Sequence, residues 1–306
     1  MSVDHAVINQ TMGKMAHYLN NHECIVVSVS GGSDSDIIVH IIATHFRDFL
    51  PKIHFVFVNT GLEYQATKDH LNYLEDKYDI TIDRVRGMSV VTAVRKYGVP
   101  VQSKVFSKRV NAYCRDVPYA LKWIQVPMSR KTRFSAPTPK EVALAKAIKK
   151  RGISVSEKCC KYSKKNPAVK YLKSVNADLN ITGERRSEGG IRSLVHKSCF
   201  EPANNDHIDK YMPLFFWNDE TKQYYKESEE IRYSDCYEVW GFKRTGCVGC
   251  PFNSRTAADL KAVKKYEPKM YKACVNVFGE SYRLSDEFGM RKQKIFDDTK
   301  SQTDAE

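Results

Sequence analysis

The stretch that decides the fold is VVSVSGGSDSDIIVHII, residues 26–42. A β-branched apolar run gives way to two glycines, then to serines alternating with aspartates, then to a second apolar run. The first part reads as a buried strand and the last as a helix. Glycines at a strand-to-helix turn permit backbone conformations and close approaches that a Cβ forbids. Successive N–H groups then converge on one spot, and the helix dipole adds positive potential there. Such a turn is an anion cradle, and the hydroxyls of Ser30, Ser33 and Ser35 are further donors. Asp34 does not suit an anion alone. It does suit phosphates that bring a divalent ion, because Mg²⁺ on phosphates takes carboxylate ligands. The expected ligand is therefore a nucleotide with Mg²⁺, on a set formed by Ser28, Ser30, Gly31, Gly32, Ser33, Asp34 and Ser35. No G-x-x-x-x-G-K-[ST] or G-x-G-x-x-G occurs, so the turn is neither a Walker loop nor a dinucleotide fingerprint.

Around this turn, 24–30, 52–58, 80–85 and 177–183 read as strands, while 34–49 and 66–78 read as helices. Strands alternating with helices predict an α/β fold, a parallel sheet with helices on both faces. Residues 1–21 form an amphipathic helix pattern. Residues 138–152 form a punctuated one, with Thr138 as cap, Pro139 in the first turn, Glu141 completing a capping box and Gly152 as stop. The rest reads as loop-rich, with GCVGCPF at 246–252 and a polar helical tail. The expected organisation is a nucleotide-binding α/β domain from 1–100 and 176–235, a basic helical region at 101–175, and a cysteine knuckle with its tail at 236–306.

Charge locates a partner. The chain has 49 Lys+Arg against 36 Asp+Glu. Residues 101–175 hold 19 of the former and 3 of the latter, a local +16, which leaves −3 for the remainder. A block of that size fits a polyanion, because neutralising phosphates releases counterions. Tyr113, Tyr119, Trp123 and Phe134 lie within it as candidate base-stacking side chains. Nucleic acid is the expected partner of the block. No apolar run approaches the roughly 20 residues of a membrane span, and the N-terminus lacks a signal-peptide core. A cytoplasmic location follows as an expectation, in which the nine cysteines stay reduced.

Cys159 and Cys160 are adjacent, and Cys247 and Cys250 form a Cys-x-x-Cys between glycines. Four thiolates can hold zinc or an iron–sulfur cluster. Adjacent cysteines crowd one small tetrahedral ion, whereas the irons of a cubane can each take one. TGERRSEGGIRS, 182–193, follows a predicted strand. Its Gly183 joins the expected nucleotide-binding set, and its Arg185, Arg186 and Arg192 offer paired donors that match a phosphate or sulfate.

In order along the chain, SGGSDS, FVNTGLEYQAT (57–67), KYGVP (96–100), TGERRSEGGIRS and GCVGCPF resemble the phosphoadenosine phosphosulfate (PAPS) reductase family. That family lies within the adenine nucleotide α-hydrolase-like, or PP-loop, superfamily. The resemblance implies a Rossmann-like fold and an adenine nucleotide bordered by Asn59, Thr60, Gly61 and Glu63. It also implies a [4Fe-4S] cluster on Cys159, Cys160, Cys247 and Cys250, because a CC pair with a distant CxxC is similar to the signature of the adenosine phosphosulfate (APS) reductase branch. Those reductases carry a nucleophilic cysteine in a C-terminal Glu-Cys-Gly-like segment, whereas here no cysteine follows Cys274. Other members resemble DNA-phosphorothioation and tRNA-thiolation enzymes, which split ATP into AMP and pyrophosphate. The resemblance thus implies activation of an acceptor, a nucleic acid, for sulfur transfer, with a sulfur donor protein as a further partner. Asp34, Arg185 and Arg192 would be the catalytic residues. The alternatives are a sulfonucleotide reductase using Cys274 or Cys199, and a non-catalytic nucleotide-sensing or nucleic-acid-binding protein.

Overall fold

The computed structural model describes residues 3–127, 136–188, 197–205 and 207–296. In chain order the helices are α1 (His5–Asn20), α2 (Ser33–His45), α3 (Gln65–Tyr78), α4 (Val90–Tyr97), α5 (Lys104–Cys114), α6 (Pro118–Ile124), α7 (Pro139–Lys150), the short α8 (Lys158–Cys160), α9 (Asn166–Ser174), α10 (Asp219–Ser228), α11 (Asp235–Glu238), α12 (Thr256–Tyr266) and α13 (Pro268–Glu287). The strands are β1 (Ile25–Ser28), β2 (Ile53–Asn59), β3 (Ile82–Arg86), β4 (Leu179–Thr182), β5 (Phe200–Glu201) and β6 (Asp209–Tyr211). The chain divides into two compact units, one of Met1–Asn59, Gln65–Arg86 and Asn166–Thr245, the other of Thr60–Tyr64, Gly87–Lys165 and Gly246–Glu306.

Alternation along β1 builds the first unit. Ile25 and Val27 join one core with Ile37, Ile38 and Ile41 of α2, Met15 and Leu19 of α1, and Leu71 and Leu74 of α3. Val26 points the other way, into a second core with Val56, Ala177 and the half-buried Tyr171 and Leu172 of α9. The sheet is therefore covered on both faces, as its apolar strands require. Its order is β3-β2-β1-β4-β6-β5, with Val27 level with Phe55 on one side and Ile181 on the other. One strand departs from the parallel expectation, since β5 runs antiparallel to β6. Strands of two and three residues carry no readable period, which is why 200–211 read as loop. The expected helix over 34–49 ends at His45, and a 3₁₀ segment follows at Arg47–Lys52. The region read as loop-rich contains α10, capped by Asn218, whose side chain accepts from the Thr221 N–H at 2.6 Å.

A buried polar triplet ties α1 to the far end of this unit. Trp217 Nε1 donates to Thr11 Oγ1 at 2.9 Å, and Thr11 Oγ1 donates to the Val7 carbonyl at 2.8 Å. Thr11→Val keeps the volume but leaves the indole N–H of Trp217 without its acceptor. The expected cost is about 1–3 kcal/mol in a denaturant titration, with the slope unchanged.

The second unit is helical. Leu144, Ala145 and Ile148 of α7 pack with Phe106 and Val110 of α5, Val155 and Leu284. The capping box forms as the sequence predicts, with the Glu141 N–H on Thr138 Oγ1 at 3.2 Å and the Thr138 N–H on Glu141 Oε2 at 2.8 Å. Trp123 corrects an expectation. It lies in this core at 6% exposure, edge-on to Phe106, and is closed to a nucleic-acid base. Tyr119 is exposed and Tyr113 is covered by Lys149, while Phe134 lies outside the described residues. No described helix is long and apolar enough to cross a membrane.

Candidate functional site

From β1 the chain passes to β2 on one side, then returns to β4 on the other. The carboxyl ends of β1 and β4 thus flank a topological switch point, where open α/β sheets bind ligands. The glycine turn sits there. Gly31 has φ +62°, and a Cβ on it would lie 2.6 Å from Thr67 Cγ2, so neither conformation nor space admits another residue. Gly183, just past β4, brings its loop against the start of α2, where a Cβ would stand 3.1 Å from the Ser35 nitrogen. Ser35 Oγ is engaged inside the turn, accepting from the Ser30 and Gly32 N–H groups at 3.2 Å each and donating to the Gly32 carbonyl at 2.7 Å. Ser30 is exposed at its rim. Ser28 bonds Asn180 across to β4 at 3.1 Å and serves the sheet.

Charge concentrates on Asp34. Arg185 Nε lies 3.0 Å and Lys222 Nζ 2.6 Å from its Oδ1. Lys222 also donates to Ser33 Oγ, and Arg185 Nη1 reaches Ser187 Oγ and the exposed Asp219, both at 2.8 Å. Two cations thus flank the opening of α2, with the Asp34 carboxylate buried between them. Two residues further, Asp36 is fully buried and bonds His70 Nε2 at 2.8 Å. Burial pushes its carboxyl above the usual range, against the pull of that bond. Tyr237 Oη accepts from the Thr245 N–H at 3.1 Å beside Gly32, and burial pushes its phenol up to about 12. Among the described residues, Thr182 Oγ1, ending β4, is buried without a hydrogen-bond partner.

The structure thus brings together Ser30, Gly31, Gly32, Ser33, Asp34, Ser35, Gly183 and Arg185 in the first unit. Asn59 ends β2 of that unit. Thr60, Gly61 and Glu63 belong to the second unit with all four cysteines. There Glu63 Oε1 accepts from the Thr60 N–H and hydroxyl at 3.1 and 2.6 Å, and Thr60 Oγ1 lies 3.3 Å from Cys247 Sγ. Arg192 lies outside the described residues.

Cys159 and Cys160 close α8, and the next five residues form a π-helical turn. The Cys159 thiol donates to Cys160, and Lys104 and Lys164 add positive charge, so the Cys160 thiol falls to about 6 against its burial. That donation and burial hold the Cys159 thiol above its usual range. Burial raises Cys247, and burial with the nearby Cys160 charge pushes Cys250 up to about 11. Among the described residues, no three of the four sulfurs come within 4.8 Å of one another. A single tetrahedral zinc would hold its thiolates about 3.8 Å apart. A cubane seats each thiolate on its own iron, and four cysteine thiols within one unit are the donor type it takes.

Sequence reasoning missed Lys222, Tyr237 and Thr245. Asn218 followed by Asp219 and Glu220 is a helix-start signal that locates α10. Nothing local says that its lysine reaches back to α2.

Comparison with known proteins matches residues 24–118 and 124–253 to the model of the phosphoadenosine phosphosulfate reductase domain. An uncharacterised protein of Methanocaldococcus jannaschii is 25% identical over 264 residues, covering 84% of this chain and 42% of its own length. The adenosine 5'-phosphosulfate reductase of Neisseria meningitidis is 27% identical over 123 residues, 40% of this chain and 48% of its own length. The chain spans less than half the length of these curated relatives. Among solved structures, phosphoadenylyl-sulfate reductase from Candida auris in its phosphate complex is 13% identical, with a TM-score of 0.48 over 81% of this chain and 97% of that one.

Proposed function

The chain belongs to the phosphoadenosine phosphosulfate reductase domain family, and on that premise we propose that it is a PP-loop enzyme that splits ATP into AMP and pyrophosphate to activate an acceptor for sulfur transfer. The observation that carries this reading is the switch-point turn, where Arg185 and Lys222 converge on Asp34 at the start of α2. The exposed Ser30 hydroxyl, Ser33 and the two cations would take the β- and γ-phosphates. An acceptor oxygen attacks the α-phosphorus, its P–O bond to the pyrophosphate breaks, and a sulfur nucleophile then displaces AMP. Arg185 and Lys222 would hold the charge that gathers on the departing pyrophosphate. Asp34 and the phosphates would hold Mg²⁺, which arrives with the nucleotide and supplies further neutralisation.

Cys159, Cys160, Cys247 and Cys250 would hold a [4Fe-4S] cluster. When bound, it supplies iron for handling sulfur or electrons. The acceptor we infer is nucleic acid. Next to the CC pair, Tyr97 and Tyr162 stack at 4.7 Å and 11°, with Lys96 and Lys158 over the first ring and Lys161 over the second. A base would stack on the face each ring turns away from its neighbour, with the lysines over it moving onto phosphates. Tyr97→Ala with Tyr162→Ala should weaken single-stranded RNA or DNA binding about tenfold or more, since a stacked base contributes about 1–3 kcal/mol. Fluorescence anisotropy reads this, and unchanged affinity removes the platform from the account.

The similarity to APS reductase favours a second reading, reduction of a sulfonucleotide. Its candidate nucleophiles are poorly placed, since Cys199 is 6% exposed and Cys274 fully buried. Burial also pushes the Cys274 thiol up to about 11. Incubation with ATP or APS separates the two. AMP and pyrophosphate from ATP support the proposal, and thiol-dependent sulfite from APS overturns it.

A further inference from the structure

Away from the glycine turn, the first unit gathers a second set of ligating side chains. His40 lies on α2, about 10 Å along the axis from its first residue, and His45 ends that helix. Glu229 follows α10 directly, and its N–H closes that helix on the Tyr225 carbonyl at 3.1 Å. One ligating atom from each of His40, His45 and Glu229 falls within 4.8 Å of the others. We propose that these three side chains bind a divalent transition-metal ion, zinc in the first instance.

One edge of the set has the length found in a coordination sphere. His40 Nε2 and Glu229 Oε2 stand 3.3 Å apart. This is longer than the roughly 2.7–3.2 Å of an ordinary N–H···O bond. It equals the edge of a tetrahedron, about 3.3 Å, built on zinc with nitrogen and oxygen ligands. Metal-ligating histidines hold their second ring nitrogen on a partner, which fixes the tautomer. His40 has such a partner here. Tyr78 Oη lies 3.0 Å from His40 Nδ1 and can accept its proton, which leaves the Nε2 lone pair facing Glu229. Tyr225 Oη lies 3.5 Å from Nε2 of the exposed His45 ring. His40 is buried, Glu229 half-buried and His45 exposed, which gives the ion an entry path and an open fourth position. Two imidazoles and one carboxylate suit zinc, copper or nickel and do not suit magnesium or calcium. Among the described residues, Lys77 acts on His40 and would weaken binding without occupying the site. The elements joined by the ion, α2 and α10, also carry Asp34 and Lys222, so the ion would brace the cradle from its far end.

The test is a cobalt(II) titration of the full chain, followed by zinc competition, in the wild type, H45A and E229Q. Cobalt on nitrogen and oxygen gives ligand-field bands without the sulfur-to-cobalt charge-transfer band of the cysteines. The expected result is such a spectrum, displaced by zinc, with affinity at least tenfold lower in both variants and iron content unchanged. H45A removes an exposed side chain at a helix end, so its fold is retained. Absence of any nitrogen- and oxygen-ligated cobalt in the wild type, or uptake unchanged in H45A and E229Q, overturns the proposal.

Discussion

Asp34→Ala should lower ATP cleavage about 100- to 1000-fold, the scale on which loss of one preorganised electrostatic group slows catalysis, while leaving pyrophosphate binding intact or tighter. The carboxylate is 12% exposed and compensates Arg185 and Lys222, whose side chains are 8% and 14% exposed. Without it, Lys222 loses its ion pair and keeps Asp36 as a Coulombic partner, while Arg185 retains Asp219. Breaking a buried pair from one side costs about 3–5 kcal/mol, and the surviving Asp219 contact places this case near the lower end. A phosphate anion entering between the cations restores compensation, so pyrophosphate should stabilise the variant more than the wild type. Lys222→Met should do the opposite and weaken pyrophosphate binding. Because the two side chains touch, the double variant should be more stable than the sum of single losses indicates. Calorimetric titration with pyrophosphate in the absence of Mg²⁺ and thermal melts read all three. Additive losses, or pyrophosphate affinity falling in Asp34→Ala, would show that Asp34 does not balance a phosphate-binding pair.

The second large effect belongs to the cysteine knuckle. Gly249, between Cys247 and Cys250, has φ +63°, and a Cβ there would meet Cys274 Sγ at 2.8 Å, Cys274 Cβ at 3.0 Å and the Tyr282 hydroxyl. Both neighbours are fully buried on α13, and Tyr282 Oη donates to the Gly249 carbonyl. Gly249→Ala therefore adds left-handed strain of about 1–2 kcal/mol to overpacking of about 1–3 kcal/mol. The knuckle must shift to relieve it, which displaces both cysteines. Iron per chain, measured after anaerobic purification, should drop at least severalfold, with the unfolding midpoint lowered. Full iron loading at unchanged stability would contradict both the knuckle geometry and its role.

The parts legible in the sequence are those in which adjacent residues carry the physics. A β-branched run before two glycines specified β1, the turn and α2, because strand, conformational freedom and helix start are all local. Thr138, Pro139 and Glu141 specified α7 for the same reason. Pairings over long separations were not legible. Lys222 on Asp34 spans most of the first unit's chain, and the Tyr97–Tyr162 stack joins helical segments far apart. Trp123 shows the converse. Its basic neighbours suggested an exposed ring, but apolar residues on α5 and α7 bury it. The NTG loop was readable as a motif, while its tie from Thr60 to Cys247 rests on tertiary structure alone.

The central claim is that the turn at the exit of β1 grips the phosphate chain of an adenine nucleotide. A crystal structure of the chain with a non-hydrolysable ATP analogue and Mg²⁺ tests it most directly. The account predicts phosphate oxygens within about 2.7–2.9 Å of Lys222 and Arg185, with Ser30 and Ser33 on the same phosphates and Lys222 drawn off Asp34. An analogue seated elsewhere, with the Asp34–Arg185–Lys222 contacts unchanged and no density over the turn, would contradict it.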